Sequence, residues 1–431
     1  MTGLEKINDK YRMFASFGDS EGSFQFSLQD NIIAQGFETL AGSRMMEGYR
    51  PPFDATLVKK LREAGGALVG KTNMDEFGCG SFGTNSAFGI PLNPYDIKRS
   101  CGGAAGGSAC AAAVLKDHVS VAVSTGGSVV CPASFCGVYG LAATYGRVSR
   151  NGVIDVASSM DSVGVMSAKS AGLGKALGIM QGKDPLDPVS YAQHGPIGEP
   201  TRMKSVAVPR ELTEGLSPDV ERIFKDSLET LRSQGISVDI VDMPLLKYAF
   251  PAYYVLAASE ASTSLAKLCG MRYGHQDGDI DMKFDDYFTE MRTKYLGDEA
   301  KRRIVLGTFL RFAGNVDRYH NKALRVRMSV VNAYKEVLKD HDAVVSPTMP
   351  FVAPRIEDTE RMSLMDSYKA SRLTLGASLT GMPHLTVPCG YSEGMPVGLM
   401  FTADHWNEHL LLGMASQWEE SFEFKAPEVD Y

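Results

Sequence analysis

Only two tryptophans occur in 431 residues, and the seven cysteines form no C-x-x-C pair and no Cys/His array with zinc spacing. A zinc module and a dithiol redox motif are thereby excluded, and no metal or cofactor is expected. The thiols (Cys79, Cys101, Cys110, Cys131, Cys136, Cys269 and Cys389) are expected to pack as small buried hydrophobes in a reducing compartment. No window approaches 18 uninterrupted apolar residues, so no membrane span is expected. The first twelve residues have neither an apolar stretch nor an Arg/Ser-rich one, which reads as a soluble chain or a mature one whose presequence has been removed. An excess of positive charge is lacking too: 44 Lys+Arg stand against 51 Asp+Glu, a net charge of -7. That balance argues against a surface built mainly to grip nucleic acid or anionic lipid. Internal repeats, low-complexity linkers and coiled-coil heptads are also missing.

What remains is ordinary in bulk, with 44% hydrophobic and 22% charged residues, enough for a normal core and too apolar for wholesale disorder. Helix-to-strand units recur. Asp54 is placed to cap a helix with an apolar face of Leu57, Val58, Leu61 and Ala64; Gly65 and Gly66 end it, and 67–70 reads as a buried strand. An Ala-rich helix over 104–116 leads into the apolar run 118–124, and Ser217-Pro218 opens a helix between strands at 205–208 and 236–241. The stretch 247–340 is helical, charged and aromatic. Strand signals resume at 342–346, 384–388 and 397–401, before a final amphipathic helix over 407–419. The pattern predicts one large α/β domain over residues 1–431, its sheet parallel or mixed, with a helical insertion at about 247–340.

The 44 glycines exceed the usual share of about 7% and gather in two clusters, Gly102-Gly-Ala-Ala-Gly-Gly-Ser108 and Thr125-Gly-Gly-Ser128. A phosphate loop needs a lysine after its second glycine, and a dinucleotide fingerprint needs G-x-G-x-x-G; neither fits. Two readings stay open: glycines that allow tight turns, or backbone N–H groups forming an oxyanion hole beside a serine.

The run Gly70-Lys-Thr-Asn-Met-Asp-Glu-Phe77, then Asn85-Ser-Ala-Phe-Gly89, the two glycine clusters and Tyr145-Gly-Arg-Val-Ser-Arg150 follow one another in an order that resembles the amidase signature family. Within it they are most similar to A subunits of glutamyl-tRNA(Gln) amidotransferases. The likeness is continuous over about 24–165, with echoes at Ser346-Pro-Thr-Met-Pro350 and Gly381-Met-Pro383. It implies the amidase-signature α/β fold, with a large mixed sheet flanked by helices on both faces, a serine nucleophile, a relay serine at a cis peptide and a lysine base. Ser128 falls on the nucleophile, with Thr125, Gly126 and Gly127 as oxyanion-type backbone, but the relay position is Ala104, followed by Ala105, and the base position is Gln29.

Neighbouring positions depart as well. The acid before the T-G-G-S motif is Ser124, the arginine after it is Val130, and of an acidic pair near the C-terminus Asn407-Glu408 keeps one member. Lys71 belongs to the G-K-T-N motif and is not the base. His118, at a strand start, reads as a core or edge residue.

A carboxamide cannot take a proton at physiological pH and alanine cannot relay one. Loss of one member of a serine-type triad costs roughly 10^4 to 10^6 in rate, and further losses add little. The resemblance therefore implies either of two roles. One is a catalytically degenerate structural or interaction subunit of a larger complex, expected in the mitochondrial matrix, with protein subunits as partners and no direct grip on nucleic acid. The other is a working glutamine-hydrolysing subunit that supplies ammonia for Gln-tRNA(Gln) formation. A ligand-binding module using the amide pocket is a third reading, weakened by the lost charge at Val130 and Asn407.

Overall fold

A computed structural model describes residues 3–18, 21–190, 195–279, 281–422 and 424–429. Eleven strands form one mixed sheet: β1 Phe14–Phe17, β2 Phe24–Gln29, β3 Gly66–Thr72, β4 His118–Ser124, β5 Tyr139–Ala142, β6 Ser162–Ser167, β7 Ser205–Pro209, β8 Ser237–Val241, β9 Ala343–Pro347, β10 His384–Ser392 and β11 Met395–Thr402. Their order is β1-β3-β2-β4-β6-β5-β10-β11-β9-β7-β8. β2 runs parallel to both β3 and β4, and β7 parallel to β8 and β9, while β4–β6, β5–β10 and β10–β11 are antiparallel. The expected mixed α/β sheet with helices on both faces is therefore present.

The central strands are buried on both faces, yet their residues alternate. On β2 and β4, Phe26, Leu28, Val119, Val121 and Val123 enter the large core beneath the helices Thr56–Glu63, Ser170–Met180, Pro218–Ser233 and Glu408–Ser421. The intervening positions, Ser27, Gln29, His118, Ser120, Ala122 and Ser124, are small or polar and equally buried. They form the opposite face, where the helix Gly106–Val114 comes close through glycine, alanine and serine: Thr72 and Ser108 share a hydroxyl hydrogen bond of 2.6 Å. A methyl on Gly107 would lie 2.4 Å from the Asn73 carbonyl oxygen, so only glycine permits this approach. The site grows out of this polar, tightly packed layer.

Two local expectations are corrected. Asp54 caps nothing: Ala55 precedes the helix, and the Asp54 carboxylate instead accepts from the Gln35 N–H at 2.7 Å and from Arg62. Ala64 is exposed: the helix ends at Glu63, Ala64 is its C-cap, and Gly65, at φ +84°, turns the chain into β3. Between β8 and β9 the helices Ala249–Ser264, Phe284–Tyr295, Asp298–Arg311 and His320–Val337 carry the helical stretch. No described helix is long and apolar enough to cross a membrane. All seven cysteines are free thiols, six of them buried.

Candidate active site

β4 delivers Thr125-Gly126-Gly127-Ser128 at its C-terminal end, ahead of the short helix Val130–Phe135. The loop is held from three sides. Thr125 donates its hydroxyl to Asp161 Oδ1 at 2.6 Å, Thr374 donates to the Gly126 carbonyl at 2.7 Å, and the Gly127 carbonyl accepts from the Cys131 N–H at 2.8 Å. A Cβ on Gly126 would lie 2.4 Å from the Tyr253 ring, and one on Gly127, whose φ is +115°, 2.3 Å from Thr374 Oγ1. Close neighbours therefore require both glycines, and Gly127 is required by its conformation as well. The N–H groups of Gly126, Gly127 and Ser128 find no acceptor among the described residues, the state expected of donors reserved for an oxyanion.

Ser128 is half-buried, and its hydroxyl makes no hydrogen bond to any described residue. Gln29, the position that the family resemblance assigns to the base, is engaged in the sheet. Gln29 ends β2, 1% exposed, and its Oε1 accepts the Val123 N–H at 2.7 Å. A lysine, which has no acceptor, could not make that bond. Ala104 is fully buried in the glycine cluster 102–108; the Gly103–Ala104 peptide is cis, and the Ala104 carbonyl accepts the Asp75 N–H at 3.1 Å. Ser128, Gly126, Gly127 and Gly103 line one cavity, but Gln29 and Ala104 do not reach it.

That cavity measures about 20 Å³ and shares Gly80 and Ser81 with a neighbouring cavity of about 410 Å³ lined also by Glu299, Arg302 and Tyr368. Residues from the helical stretch close it. Tyr253, Tyr254 and Arg303 line it, and Arg303 is clamped by Glu299 at 2.9 Å and stacked on Tyr254 and Tyr368, whose rings lie 4.4 Å apart. Tyr368 donates to Glu299 at 2.7 Å. Sequence reasoning missed these side chains, since nothing in their local pattern ties them to a loop more than a hundred residues away.

The other candidates resolve individually. His118 donates to or accepts from Ser27 Oγ at 2.9 Å, and burial pushes its pKa down to about 3, so it is neutral. It stands at the opposite end of β4 from Ser128, roughly 20 Å away along a seven-residue strand. Lys71 is fully buried against Asp30 at 2.9 Å. Burial drives both members of that pair toward their neutral forms, and their mutual attraction opposes it. Glu408 binds Arg147 through two oxygens at 3.0 and 2.8 Å and accepts the Thr144 N–H; its carboxylate is an internal tie. The Ser124 hydroxyl is buried without a partner and Val130 is buried in the core.

Asp75 supports the glycine cluster 102–108. It accepts from Asn85 N–H at 2.7 Å and Gly83 N–H at 3.1 Å, and a Cβ on Gly103 would strike its Oδ2 at 2.3 Å. Burial pushes its pKa up to about 7, against the opposing pull of those N–H groups and of Arg303. Folded Asp75 thus keeps a proton between about pH 4 and 7 that the unfolded chain has released. Stability then falls as pH rises through this window, by up to about 1.4 kcal/mol per unit. Urea unfolding of Asp75→Asn across the same window is expected to lack that share of the slope, whatever its absolute stability; an unchanged slope would refute the assignment.

The model of the amidase family matches residues 25–412. The chain belongs to the amidase family. Among amidase relatives, a protein of Methanospirillum hungatei, named as the A subunit of glutamyl-tRNA(Gln) amidotransferase, is 39% identical over 398 residues, 91% of each chain. One of the same name from Clostridium botulinum is 38% identical over 97% of this chain and 88% of its own. The crystal structure of the glutamyl-tRNA(Gln) amidotransferase A subunit from Thermotoga maritima superposes with a TM-score of 0.85 at 32% identity, covering 99% of this chain and 93% of that one. A peptide amidase from Stenotrophomonas maltophilia gives 0.76 at 27% identity, over 95% and 84%. The amidase fold expected from the sequence, and its likeness to the A subunits, are thus borne out.

Proposed function

We propose that this amidase-family chain serves as an A-type subunit of a glutamyl-tRNA(Gln) amidotransferase-like assembly, with protein subunits as its partners, and that its own site does not hydrolyse glutamine. The first half is supported by the names and near-complete coverage of the relatives. The second rests on one observation: the Ser128 hydroxyl has no hydrogen-bonded proton acceptor among the described residues, and the position of the base is filled by an uncharged Gln29 engaged with Val123. A serine hydroxyl without an acceptor is a poor nucleophile at neutral pH. Ala104 removes the relay, since it has no hydroxyl to pass a proton. Thr125, Gly126, Gly127 and Ser128 are then the retained backbone of an oxyanion site without its proton chemistry. This organisation goes with a single amidase-like unit over residues 1–431.

A second reading is favoured by the comparisons: relatives 36–39% identical carry the amidotransferase name, which supports a working glutamine-hydrolysing role. The organisms of the relatives named above are an archaeon and bacteria, so they add nothing to the expectation of a mitochondrial-matrix location. Reconstitution with the remaining subunits of its own source separates the two. The degenerate reading expects Gln-tRNA(Gln) formation driven by ammonium but not by glutamine, with no effect of Ser128→Ala; glutamine-driven product that Ser128→Ala abolishes would establish the second reading.

A further inference from the structure

The helix Asp298–Arg311 is two-sided in an unusual way. Its inner face packs on Ala249–Ser264 so closely that a Cβ on Gly307 would lie 1.9 Å from the Ala258 carbonyl oxygen, and it carries Arg303 to the Ser128 cavity. Its outer face is apolar where solvent should be: Val305 is 70% exposed, Leu306 40%, Phe309 47% and Phe312, just past its end, 60%. The spacing i, i+4 and i+7 puts Val305, Phe309 and Phe312 in one ridge, the form that packs against another helix. The segment after Phe312 folds back, bringing the Tyr319 ring 6.1 Å from that of Phe309 and Arg318 over Tyr319.

Charge around this ridge is one-sided. Elsewhere on the surface, cations are matched locally: Lys225 with Glu221, Arg232 with Glu229, Lys339 with Glu336. Arg318, Lys322 and Arg325 are exposed and have no carboxylate within ion-pair distance among the described residues. The single acid in 311–325, Asp317, accepts from Asn321 instead. A chain of net charge -7 thus leaves unmatched positive charge beside its exposed apolar ridge. Nucleic acid would satisfy the cations but not Val305 and Leu306, which offer nothing to phosphate or base edges.

Resting on the assembly reading above, we propose that this face docks a helix of another subunit of the same assembly, one with an apolar ridge flanked by Asp and Glu. The apolar side chains act as anchors, and the cations steer and orient the acidic partner.

The test uses the full chain and the remaining amidotransferase subunits of its own source as the probe. Two variants are compared by surface binding kinetics: Val305→Ser/Phe309→Ser/Phe312→Ser, and Arg318→Glu/Lys322→Glu/Arg325→Glu. All six positions face solvent, and matching thermal transitions establish that the variants fold. The first is expected to weaken Kd by about 30-fold or more, and the second to slow association and remove most of its salt dependence. Both variants binding like the parent would overturn the proposal and leave the assembly reading standing. A parent that binds none of those subunits would overturn both. Loss of self-association or of tRNA binding, with subunit binding unchanged, would reassign the face to a second copy or to RNA and overturn the proposal.

Discussion

Restoring the two proton-handling side chains, Gln29→Lys together with Ala104→Ser, is expected to raise hydrolysis of a small amide by roughly 10^3-fold or more over the parent, in a manner that Ser128→Ala abolishes. The size follows from the cost of removing members of a serine-type triad, which act as one unit. The replacement has a structural cost as well. Gln29 Oε1 accepts the Val123 N–H inside the sheet, and lysine leaves that donor unpaired, a loss of about 1–3 kcal/mol. Activity is therefore read alongside the thermal transition. No gain from a folded double variant would contradict the assignment of the lost chemistry to these two positions.

The second large effect concerns stability. Lys71→Met is expected to lower unfolding free energy by about 3–5 kcal/mol, since it leaves the buried Asp30 carboxylate without its cation. Lys71 and Asp30 are 0% and 1% exposed, 2.9 Å apart, with Thr39 Oγ1 completing the lysine's shell and the Leu40 N–H bonding the other carboxylate oxygen. Met keeps most of the lysine stem's volume, so packing loss is a minor part of the change. Adding Asp30→Asn removes the stranded charge while keeping an acceptor for Leu40, and should recover a large part of the loss. Denaturant unfolding of the single and double variants checks both signs. Equal destabilisation by the two would mean that volume, not charge, dominates.

Much of this molecule could be read from its sequence, for identifiable reasons. β4 was expected over His118–Ser124 and occupies those residues, because a seven-residue apolar run bounded by turn residues has few other homes. The same run hides an alternation that decides the site: Val119, Val121 and Val123 face one core, while His118, Ser120, Ala122 and Ser124 share the other face with Ser27 and Gln29. Gln29 reads as a lost base in the sequence, but its bond to Val123 depends on the pairing of β2 with β4, which no local pattern gives. Ser128 and its glycines were legible from their motif. Tyr253, Arg303 and the tie between Arg147 and Glu408, 261 residues apart, were not, because only tertiary packing brings them to their partners. Asp54 misled for the opposite reason: a good capping residue was claimed by Gln35 and Arg62.

The central claim is that Ser128 no longer performs chemistry, and the most direct measurement compares ammonia release from glutamine by the assembled parent with that of its Ser128→Ala variant. Equal rates, at the level of the enzyme-free background, are predicted. Turnover by the parent that disappears with the Ser128 hydroxyl would contradict the claim.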